Sequence, residues 1–384
     1  MTSGFPPNRP TAPQQDDPEL HILLVPDSFK GSLDSAGVAT ALTRGIRRAT
    51  PNAHIASLPV ADGGEGTVNA VVTAAGGTHH TLEVTGPEHS PVPAEYGLLT
   101  EGAVIEMASA AGLPLTHNPN PETTTTYGVG ELIRHLADHR LILGAGGSAT
   151  HDLGCGAAAA CGVQFFDDAG TSFVPTGDTL GNIARIDTSA AQPVDITVIT
   201  DIDNPLLGPN GAAAMFAAQK GADNAMVQRL EDGTAHAADI IARDLEVDVR
   251  QLTGGGTAGG FAAGMHAFFA AQLKPGIEAV LDAVGFDELA DEADLIITGE
   301  GQLDGQSLAG KVPIGVARRT DKPVIAVVGS VGPGARAVYE HGITAMYSIT
   351  PGPQDLDTAL EDTADNLAAT AESIMRTWLA AKRA

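Results

Sequence analysis

Apolar and polar positions follow a repeating order along the first part of the chain. A short apolar run at 22–25 is followed by the polar loop PDSFKGSLDS, and then Val38, Leu42 and Ile46 recur at helical spacing. The same order returns with an apolar stretch at 55–60, the loop ADGGEGT, and a helical pattern that ends at two glycines. Each unit therefore predicts a strand, a loop and a helix, an order typical of parallel α/β packing.

The pattern changes between about residues 81 and 107. Short apolar runs there are punctuated by Pro and Gly, as in antiparallel hairpins, so they predict the start of a different domain. Further strands are predicted at 141–143 and 196–199, and the glycine run TGGGTAGG precedes a predicted helix at 261–269.

After about residue 285 the order of strand, loop and helix returns. We predict strands at 295–297, 324–328 and 345–349, and then a long helix that includes Leu360, Leu367 and Ile374. Two units at the start and three at the end would complete one parallel sheet of five strands. The sequence therefore predicts an α/β fold with a discontinuous, doubly wound (Rossmann-like) domain and a second α/β domain inserted in it. The predicted limits are 1–20 for a disordered tail, 21–82 and 286–384 for the discontinuous domain, and 83–285 for the insertion.

Charge and cysteine content narrow the functional classes. The formal net charge of −26, without a basic stripe, argues against a nucleic-acid partner. No apolar run approaches the ~18 residues of a membrane span, and the N-terminus lacks the apolar core of a signal peptide. Cys155 and Cys161 are spaced neither as a zinc site nor as a disulfide framework. We therefore expect a cytoplasmic protein, and the sequence leaves its oligomeric state open.

Five polar loops, each after a predicted strand, combine glycines with acids or hydroxyls. Because ligands of such sheets bind beyond the carboxyl ends of the strands, we expect all five loops at one sheet edge. Glycine-rich turns let a backbone approach an anion, and carboxylates beside an anion imply a divalent cation between them. With Lys30, Lys220 and Lys311 in or beside such loops, the set indicates phosphoryl transfer, although any single loop could be an ordinary turn. The loops lie at 26–35, 61–67, 144–156, 200–204 and 298–311.

The last of these loops, TGEGQLDGQSLAGK, contains the spacing G-x-x-x-x-G-K at 305–311. It is not a Walker A loop, because Val312 stands where a Ser or Thr should bind Mg²⁺ and because Gly305 does not directly follow the strand. In the loop at 144–156, His151 is expected to be a hydrogen-bonded structural residue and not a base.

At these loops the sequence resembles the bacterial glycerate kinase family, the type that includes the glycerate 2-kinases. The resemblance implies a flavodoxin-like domain interrupted by a second α/β domain, ATP and D-glycerate as substrates, and a Mg²⁺ requirement. It favours 2-phosphoglycerate as the product and leaves the 3-phosphate open. The matching stretches include PDSFKGSL, PVADGGEGTVNAVV, IEMASAAGL, GGSAT, DIDNPLLGPNGAA, QKGA, GTAGGFAAGM and LIITGEGQLDGQSLAGKVPIGVA.

The chain departs from the family pattern in two of these loops. His151 stands in place of Asn and Leu153 in place of Gly, and Gln302 stands where an Arg is more common. Because leucine adopts a positive φ less readily than glycine, we expect the backbone around Leu153 to differ.

Phosphoryl transfer needs positioning, charge neutralisation and an oriented nucleophile, and these needs suggest roles for the loop residues. The candidate metal contacts are Glu300 and Asp304. The candidate catalytic residues are Lys311 and Lys30, which would neutralise the transferring charge, and Asp201 or Asp62, one of which would be the base. The candidate substrate- and nucleotide-binding residues are Asp27, Ser28, Gly63, Gly64, Glu65, Gly147, Ser148, Thr150, Asn204, Lys220, Gly299, Gly301 and Ser307.

Two alternatives stay open at this point. The chain could be a glycerate 3-kinase or a kinase for another small hydroxy acid, which differs only in substrate or product. It could also be a nucleotide-binding sensor without turnover, which the departures at His151 and Leu153 would favour.

Overall fold

The computed structural model describes residues 20–58, 60, 66–305, 307–309 and 311–382. Except for Leu20, which is buried, the predicted tail lies outside the described residues. The site candidates Asp62, Gly63, Gly64 and Glu65 also lie outside them.

The chain begins with two units of strand and helix, as the sequence predicts. Asp34 starts the first helix by accepting a hydrogen bond from the amide of Gly37, and Gly76 ends the second in the left-handed conformation. The elements are β1 (His21–Pro26), α1 (Ser35–Ala49), β2 (His54–Ser57) and α2 (Thr67–Ala75).

The middle of the chain contains the longest series of elements. Two segments of 3₁₀ helix, Leu113–Leu115 and Ala218–Lys220, border the loops discussed below. The elements are β3 (Thr78–Thr85), β4 (Pro91–Leu99), β5 (Gly102–Glu106), α3 (Met107–Ala111), α4 (Tyr127–His135), β6 (Arg140–Gly144), α5 (Cys155–Ala160), β7 (Gln164–Phe166), β8 (Ser172–Phe173), β9 (Arg185–Asp187), β10 (Asp195–Ile199), α6 (Ala212–Phe216), α7 (Asn224–Leu245), α8 (Phe261–Phe269), β11 (Gln272–Lys274) and α9 (Gly276–Ala283).

The last part of the chain returns to alternating helices and strands. The predicted C-terminal helix is interrupted at Asp362, and the carbonyl of Leu360 accepts a hydrogen bond from the Ser32 hydroxyl in the loop after β1. The elements are α10 (Phe286–Glu292), β12 (Leu295–Gly299), β13 (Gln302–Leu303), α11 (Val312–Arg318), β14 (Val324–Val328), β15 (Ser330–Val331), β16 (Ile343–Ser348), α12 (Leu356–Glu361) and α13 (Thr363–Lys382).

The first and last parts form one parallel sheet of five strands in the order β16-β14-β12-β1-β2, which confirms the prediction. Alternate residues of β1 enter different cores. Ile22 and Leu24 pack with helices α1 and α13, whereas Leu23 and Val25 pack with α2, α9 and α11. Burial on both faces explains why these strands are continuous apolar runs in the sequence.

The middle part forms a mixed sheet in the order β11-β10-β6-β5-β4-β3. Strands β3, β4 and β5 are antiparallel neighbours, as the Pro- and Gly-punctuated pattern predicts, and the remaining strands are parallel. The fold is thus α/β: the parts that flank the insertion together form the parallel sheet, and the insertion contains the mixed sheet.

Helices α2 and α9 lie between the two sheets and pack against both parts. Val72 of α2 contacts the strand β4 at Gly97, where a side chain would clash with it. Ile277 of α9 packs against Gly315 of α11. These helices belong to one continuous core with β1, β12 and β14. Packing therefore does not mark a boundary between two domains, and the predicted domain limits at 82/83 and 285/286 stay a prediction.

Candidate active site

A large pocket of about 1010 Å³ lies at the carboxyl edge of the five-stranded sheet. The loops after β1, β12 and β14 form one side of it, and residues 349–366 form the other. Six sequence-predicted site residues line this large pocket: Asp27, Ser28, Lys30, Glu300, Gly301 and Lys311.

Glu300 is the buried carboxylate of the large pocket. Only 5% of the residue is exposed, and the Lys311 ammonium lies 3.6 Å from its Oε2. Burial raises the pKa of Glu300, while the hydroxyl of Ser307 and the charge of Lys311 act in the opposite direction. The second oxygen, Oε1, is buried without a hydrogen-bond partner. A buried oxygen without a partner is costly, so this arrangement favours a ligand at Glu300.

The residues around Glu300 fit a magnesium ion shared with phosphates. Among the described residues, no group of three or more His, Cys, Asp or Glu side chains could hold a metal by itself. Mg²⁺, however, is usually bound through only one or two carboxylates together with phosphates of the substrate. Glu300 offers a buried, unpartnered oxygen, and Asp304 lies on the same loop, where its amide donates to Ser307 Oγ.

The loop after β1 brings a carboxylate, Asp27, and a cation, Lys30, to the same pocket. Asp27 accepts a hydrogen bond from the amide of Ser28, and its own amide donates to the carbonyl of Gly299. Lys30 is exposed. Gly299 has a packing role, because a side chain there would clash with the carbonyl of Val327 in β14.

A small pocket of about 470 Å³ lies at the carboxyl edge of the second sheet. Its walls include the loop after β6, the loop after β10, and Phe216 and Lys220. Four sequence-predicted residues line this small pocket: Gly147, Ser148, Asp201 and Lys220.

Lys220 reaches the small pocket from inside the protein. It is 2% exposed, and its ammonium donates to Ser148 Oγ at 2.8 Å and to the carbonyl of Thr150 at 2.7 Å. Burial lowers the pKa of Lys220 to about 7, and the charge of Asp152 opposes this shift. Thr150 thus contacts Lys220 through its backbone carbonyl. The hydroxyl of Thr150 is buried without a hydrogen-bond partner.

His151 and Asp152 are buried residues of the loop after β6, and their hydrogen bonds fix its conformation. His151 is buried, its Nε2 lies 3.1 Å from Thr234 Oγ1, and burial lowers its pKa to about 3, so the ring is neutral. This geometry agrees with the structural role expected for His151. Asp152 accepts hydrogen bonds from the amides of Thr126 and Gly154, so it orders the starts of α4 and α5.

The neighbouring Leu153 has φ of 54°, in the left-handed region that favours glycine. Its side chain is fully buried. Leu153 therefore has a buried side chain and, at the same time, a backbone conformation that costs a leucine free energy.

Asp201 and Asn204 follow β10 but have different surroundings. Asp201 lines the small pocket, and its Oδ1 accepts a hydrogen bond from the amide of Gly276 at the start of α9. The side-chain amide of Asn204 donates to the carbonyl of Asn210, within its own loop. Asn204 lines neither the large nor the small pocket.

The expectation that the five loops meet at one sheet edge is wrong. The loops at 26–35 and 298–311 follow strands of the first sheet, whereas those at 144–156 and 200–204 follow strands of the second. Hydrophobic periodicity predicts that a strand exists but does not assign it to a sheet, because that choice depends on contacts distant in sequence.

Glu106 joins the second sheet to helix α2, and it was not identified as a site residue from the sequence. It ends β5 in the second sheet, and its Oε2 accepts hydrogen bonds from the amides of Gly66 and Val68, at the start of α2. The available signal was an acid at the end of an apolar run, within the stretch IEMASAAGL. The carboxyl edge of the second sheet is thereby connected to the helix that lies between the sheets.

The wall of the large pocket at 349–366 was also missed as a site. It contains Gln354, whose amide nitrogen is buried without a partner, and Leu356, which is 71% exposed. The sequence offered only a polar, Pro-rich segment after the last strand, which reads as a turn.

The fold and its pockets define an α/β protein that binds small ligands at the carboxyl ends of parallel strands. The chain belongs to the glycerate kinase family, whose sequence pattern matches residues 22–379. It is accordingly an enzyme, a kinase with an alcohol group as acceptor. The resemblance seen at the loops is therefore confirmed.

Individual relatives agree with this assignment. The chain is 45% identical to a glycerate kinase of Halalkalibacterium halodurans, over 88% of this chain and 93% of the relative. It is 41% identical to a glycerate 2-kinase of Escherichia coli K12, over 93% of this chain and 98% of the relative. A crystal structure from Salmonella typhimurium LT2, described under the name glycerate kinase 2, aligns with a TM-score of 0.84 at 42% identity and covers 95% of this chain and 100% of that one.

Within the described part of the chain, no helix has both the length and the apolar character needed to cross a membrane. The two cysteines are buried and unpaired. The cytoplasmic location stays a prediction.

Proposed function

We propose that this protein transfers the γ-phosphoryl group of ATP to the 2-hydroxyl of D-glycerate and releases 2-phosphoglycerate and ADP. The observation that carries the proposal is the pair of pockets at the carboxyl edges, one with a buried acid beside a lysine and one with a buried lysine. The similarity to the Escherichia coli protein named glycerate 2-kinase supports the 2-position.

In this proposal the large pocket binds ATP. Its volume of about 1010 Å³ is sufficient for a nucleoside triphosphate, since ligand pockets are commonly about 300–1,000 Å³. Glu300, with Asp304 as the alternative or second ligand, would hold Mg²⁺, which neutralises phosphate charge when it is bound. Lys311 and Lys30 both line this pocket and add positive charge to it. Ser28, Gly301 and Ser307 are proposed to position the phosphates through hydroxyl and amide groups.

The small pocket is proposed to bind glycerate. Gly147 lines this pocket beside Ser148 and has φ of 73°, a conformation that glycine adopts without strain. Ser148 lines the pocket, while Thr150 contributes through the carbonyl that holds Lys220. Asp201 or Asp62 would accept the proton of the 2-hydroxyl as its oxygen bonds to the γ-phosphorus and the bond to the ADP oxygen breaks.

The start of α9 supports Asp201 as the first choice of base. The hydrogen bond from Gly276 fixes the Asp201 carboxylate at the wall of the small pocket, and α9 itself packs against α11, which begins directly after Lys311. Asp62 lies outside the described residues, so the choice between these two acids stays open.

Purified protein with MgATP and D-glycerate should release ADP, and ³¹P NMR should identify 2-phosphoglycerate. A Lys311→Met variant should lose activity by about 10²-fold or more because a cation beside the transferring phosphates is removed. Lys382→Met, a change at an exposed lysine on the C-terminal helix, is the matched control and should retain activity. Formation of 3-phosphoglycerate would correct the position of transfer, and ATP binding without ADP release would favour the non-catalytic sensor.

A further inference from the structure

Lys220 is a buried cation in the wall of the small pocket, and its partners leave it incompletely satisfied. The ammonium has three N–H donors. Two of them are used by the hydroxyl of Ser148 and the carbonyl of Thr150, both neutral groups. Within the described part of the chain, the only other polar influence on Lys220 is the charge of Asp152, and no ion pair or third hydrogen bond joins these two contacts. One donor of a 2%-exposed lysine therefore remains for a ligand.

The nearest carboxylate does not compensate this charge directly. Asp152 acts on Lys220 only through space, and its oxygens accept hydrogen bonds from Thr126, Gly154 and Gly156. His151 is neutral because of its burial. A buried ammonium without an ion-pair partner is unfavourable, and the lowered pKa of Lys220 expresses this cost.

A negatively charged ligand that binds beside such a lysine offsets the cost of its buried charge. The small pocket, of about 470 Å³, has room for an acid of a few carbon atoms, and Lys220 and Ser148 are part of its lining. An entering carboxylate would supply the missing acceptor and the missing counter-charge together.

We propose that Lys220 is the specificity-determining residue of the small pocket: it pairs with the carboxylate of the substrate and thereby excludes neutral polyols and amides of the same shape. The inference rests on the proposed function, because it assigns the acceptor substrate to this pocket. It adds that the enzyme selects its substrate by the acid group, at a side chain separate from those that hold the phosphates.

The chemistry of the transfer predicts which kinetic constant should change. The carboxylate of glycerate does not change charge during transfer, so Lys220 contributes mainly to binding and much less to the chemical step. Loss of Lys220 should therefore raise KM far more than it lowers kcat.

The test compares D-glycerate with D-glyceramide, its neutral amide, on wild-type protein and on Lys220→Met. Wild type should prefer glycerate by at least about 100-fold in kcat/KM, because the amide leaves the buried ammonium without its counter-charge. In Lys220→Met the KM for glycerate should rise by about 100-fold, the preference over the amide should largely disappear, and the Kd for ATP should stay within about twofold. Lys382→Met, at the exposed lysine that pairs with Asp294, should keep all wild-type constants.

Two results would overturn this assignment. One is a fall in kcat of Lys220→Met with an unchanged KM for glycerate. The other is an equal loss for the acid and the amide, which would show that Lys220 does not recognise the charge. If Lys220→Met does not fold, the wild-type comparison still decides, since equal use of acid and amide contradicts the inference.

Failure of the proposed function gives a different result. Wild-type protein would then be inactive on glycerate, and the inference is tested with other small hydroxy acids and their amides by isothermal titration. Preference for an acid over its amide that Lys220→Met abolishes retains the inference without glycerate. No preference in any pair rejects it.

Discussion

At the level of single residues, Lys220 and Glu300 are ionisable side chains that the fold removes from water. Both have a pKa displaced towards the neutral form, and in both cases burial is the largest cause. Both also retain an unfilled hydrogen-bonding position, a donor in one and the buried Oε1 in the other. Such groups lower the free energy of unfolding, and a ligand that supplies the missing partner offsets this cost.

The pKa of Lys220 predicts how stability depends on pH. The folded value of about 7 lies below the ordinary 10.5, so between these values the unfolded chain binds more protons than the folded one. The contribution of Lys220 to the free energy of unfolding is therefore lowest below about pH 7 and rises with pH, by at most about 1.4 kcal/mol per pH unit. Urea unfolding at pH 7 and pH 9 measures this rise, and Lys220→Met should remove the contribution. An identical pH dependence in the variant would mean that Lys220 is charged in the folded protein.

Glu300→Gln tests the proposed metal contact. The variant should need more Mg²⁺ for half-maximal activity and lose turnover by about 10²-fold, because a buried anionic ligand becomes a neutral amide. In the wild type, the pKa of Glu300 is raised in the folded state. The Glu300 carboxyl therefore stabilises the fold only at low pH, and this contribution is lost as pH rises. Melting of Glu300→Gln at pH 7 should accordingly occur at the wild-type temperature or above it.

Asp304→Asn provides the comparison for this experiment, since the two acids are alternatives for the metal. A larger change in the Mg²⁺ requirement for Asp304→Asn would transfer the main role to Asp304. An unaltered requirement in both variants would remove the metal from this loop.

At the level of elements, acids at the carboxyl edge of the second sheet hold the starts of neighbouring helices. Glu106 accepts from the amides of Gly66 and Val68 at α2, Asp201 accepts from Gly276 at α9, and Asp152 serves α4 and α5. A carboxylate at a helix start satisfies free amides and interacts favourably with the helix dipole. In three places, therefore, an acid from a loop or strand end fixes a neighbouring helix.

Glu106→Ala should destabilise the protein by about 1–2 kcal/mol, because the first amides of α2 lose a charged acceptor. Activity should fall as well, since α2 follows directly on the loop at 61–67 that carries the candidate Asp62. Urea unfolding and a kcat measurement check these effects. Glu101→Gln, an exposed acid at the turn between β4 and β5, is the control. Wild-type stability in Glu106→Ala would show that water replaces the carboxylate without loss.

At the level of the whole molecule, two sheets share the helices between them, so each pocket depends on packing that involves both parts. Leu23 and Val25 of the first sheet and Val104 and Ile199 of the second belong to one core with α2 and α9. The relative position of the pockets is thus fixed by apolar contacts and not by the polar loops alone.

Gly315→Val should separate α9 from α11, because its side chain would clash with Ile277. We expect a loss of about 1–3 kcal/mol in the free energy of unfolding, typical of overpacking, and a lower kcat through displacement of the helix that holds Asp201. Gly181→Ala, where no atom lies within 4 Å of an added Cβ, should change neither quantity. Unchanged kcat in a folded Gly315→Val protein would show that catalysis does not depend on this helix contact.

The sequence by itself determined the five strands of the parallel sheet, the antiparallel start of the middle part and the family. These features are encoded locally, in hydrophobic periodicity and in long matching stretches such as LIITGEGQLDGQSLAGK. The contact of Leu360 with Ser32 and the role of Glu106 at α2 were not encoded in this way, because each joins residues that are distant in the sequence.

Only the tertiary structure decided which loops share a pocket and which charges are buried. Lys220 is 72 residues from Ser148 in sequence, and it contacts Ser148 only because the loop after β6 and the 3₁₀ helix at 218–220 are folded together. Lys30, Lys220 and Lys311 are equivalent in a sequence, but the fold leaves the first exposed, pairs the last with Glu300 and buries the second. Desolvation and long-range contact set the chemistry of a side chain, and neither is a local property of the chain.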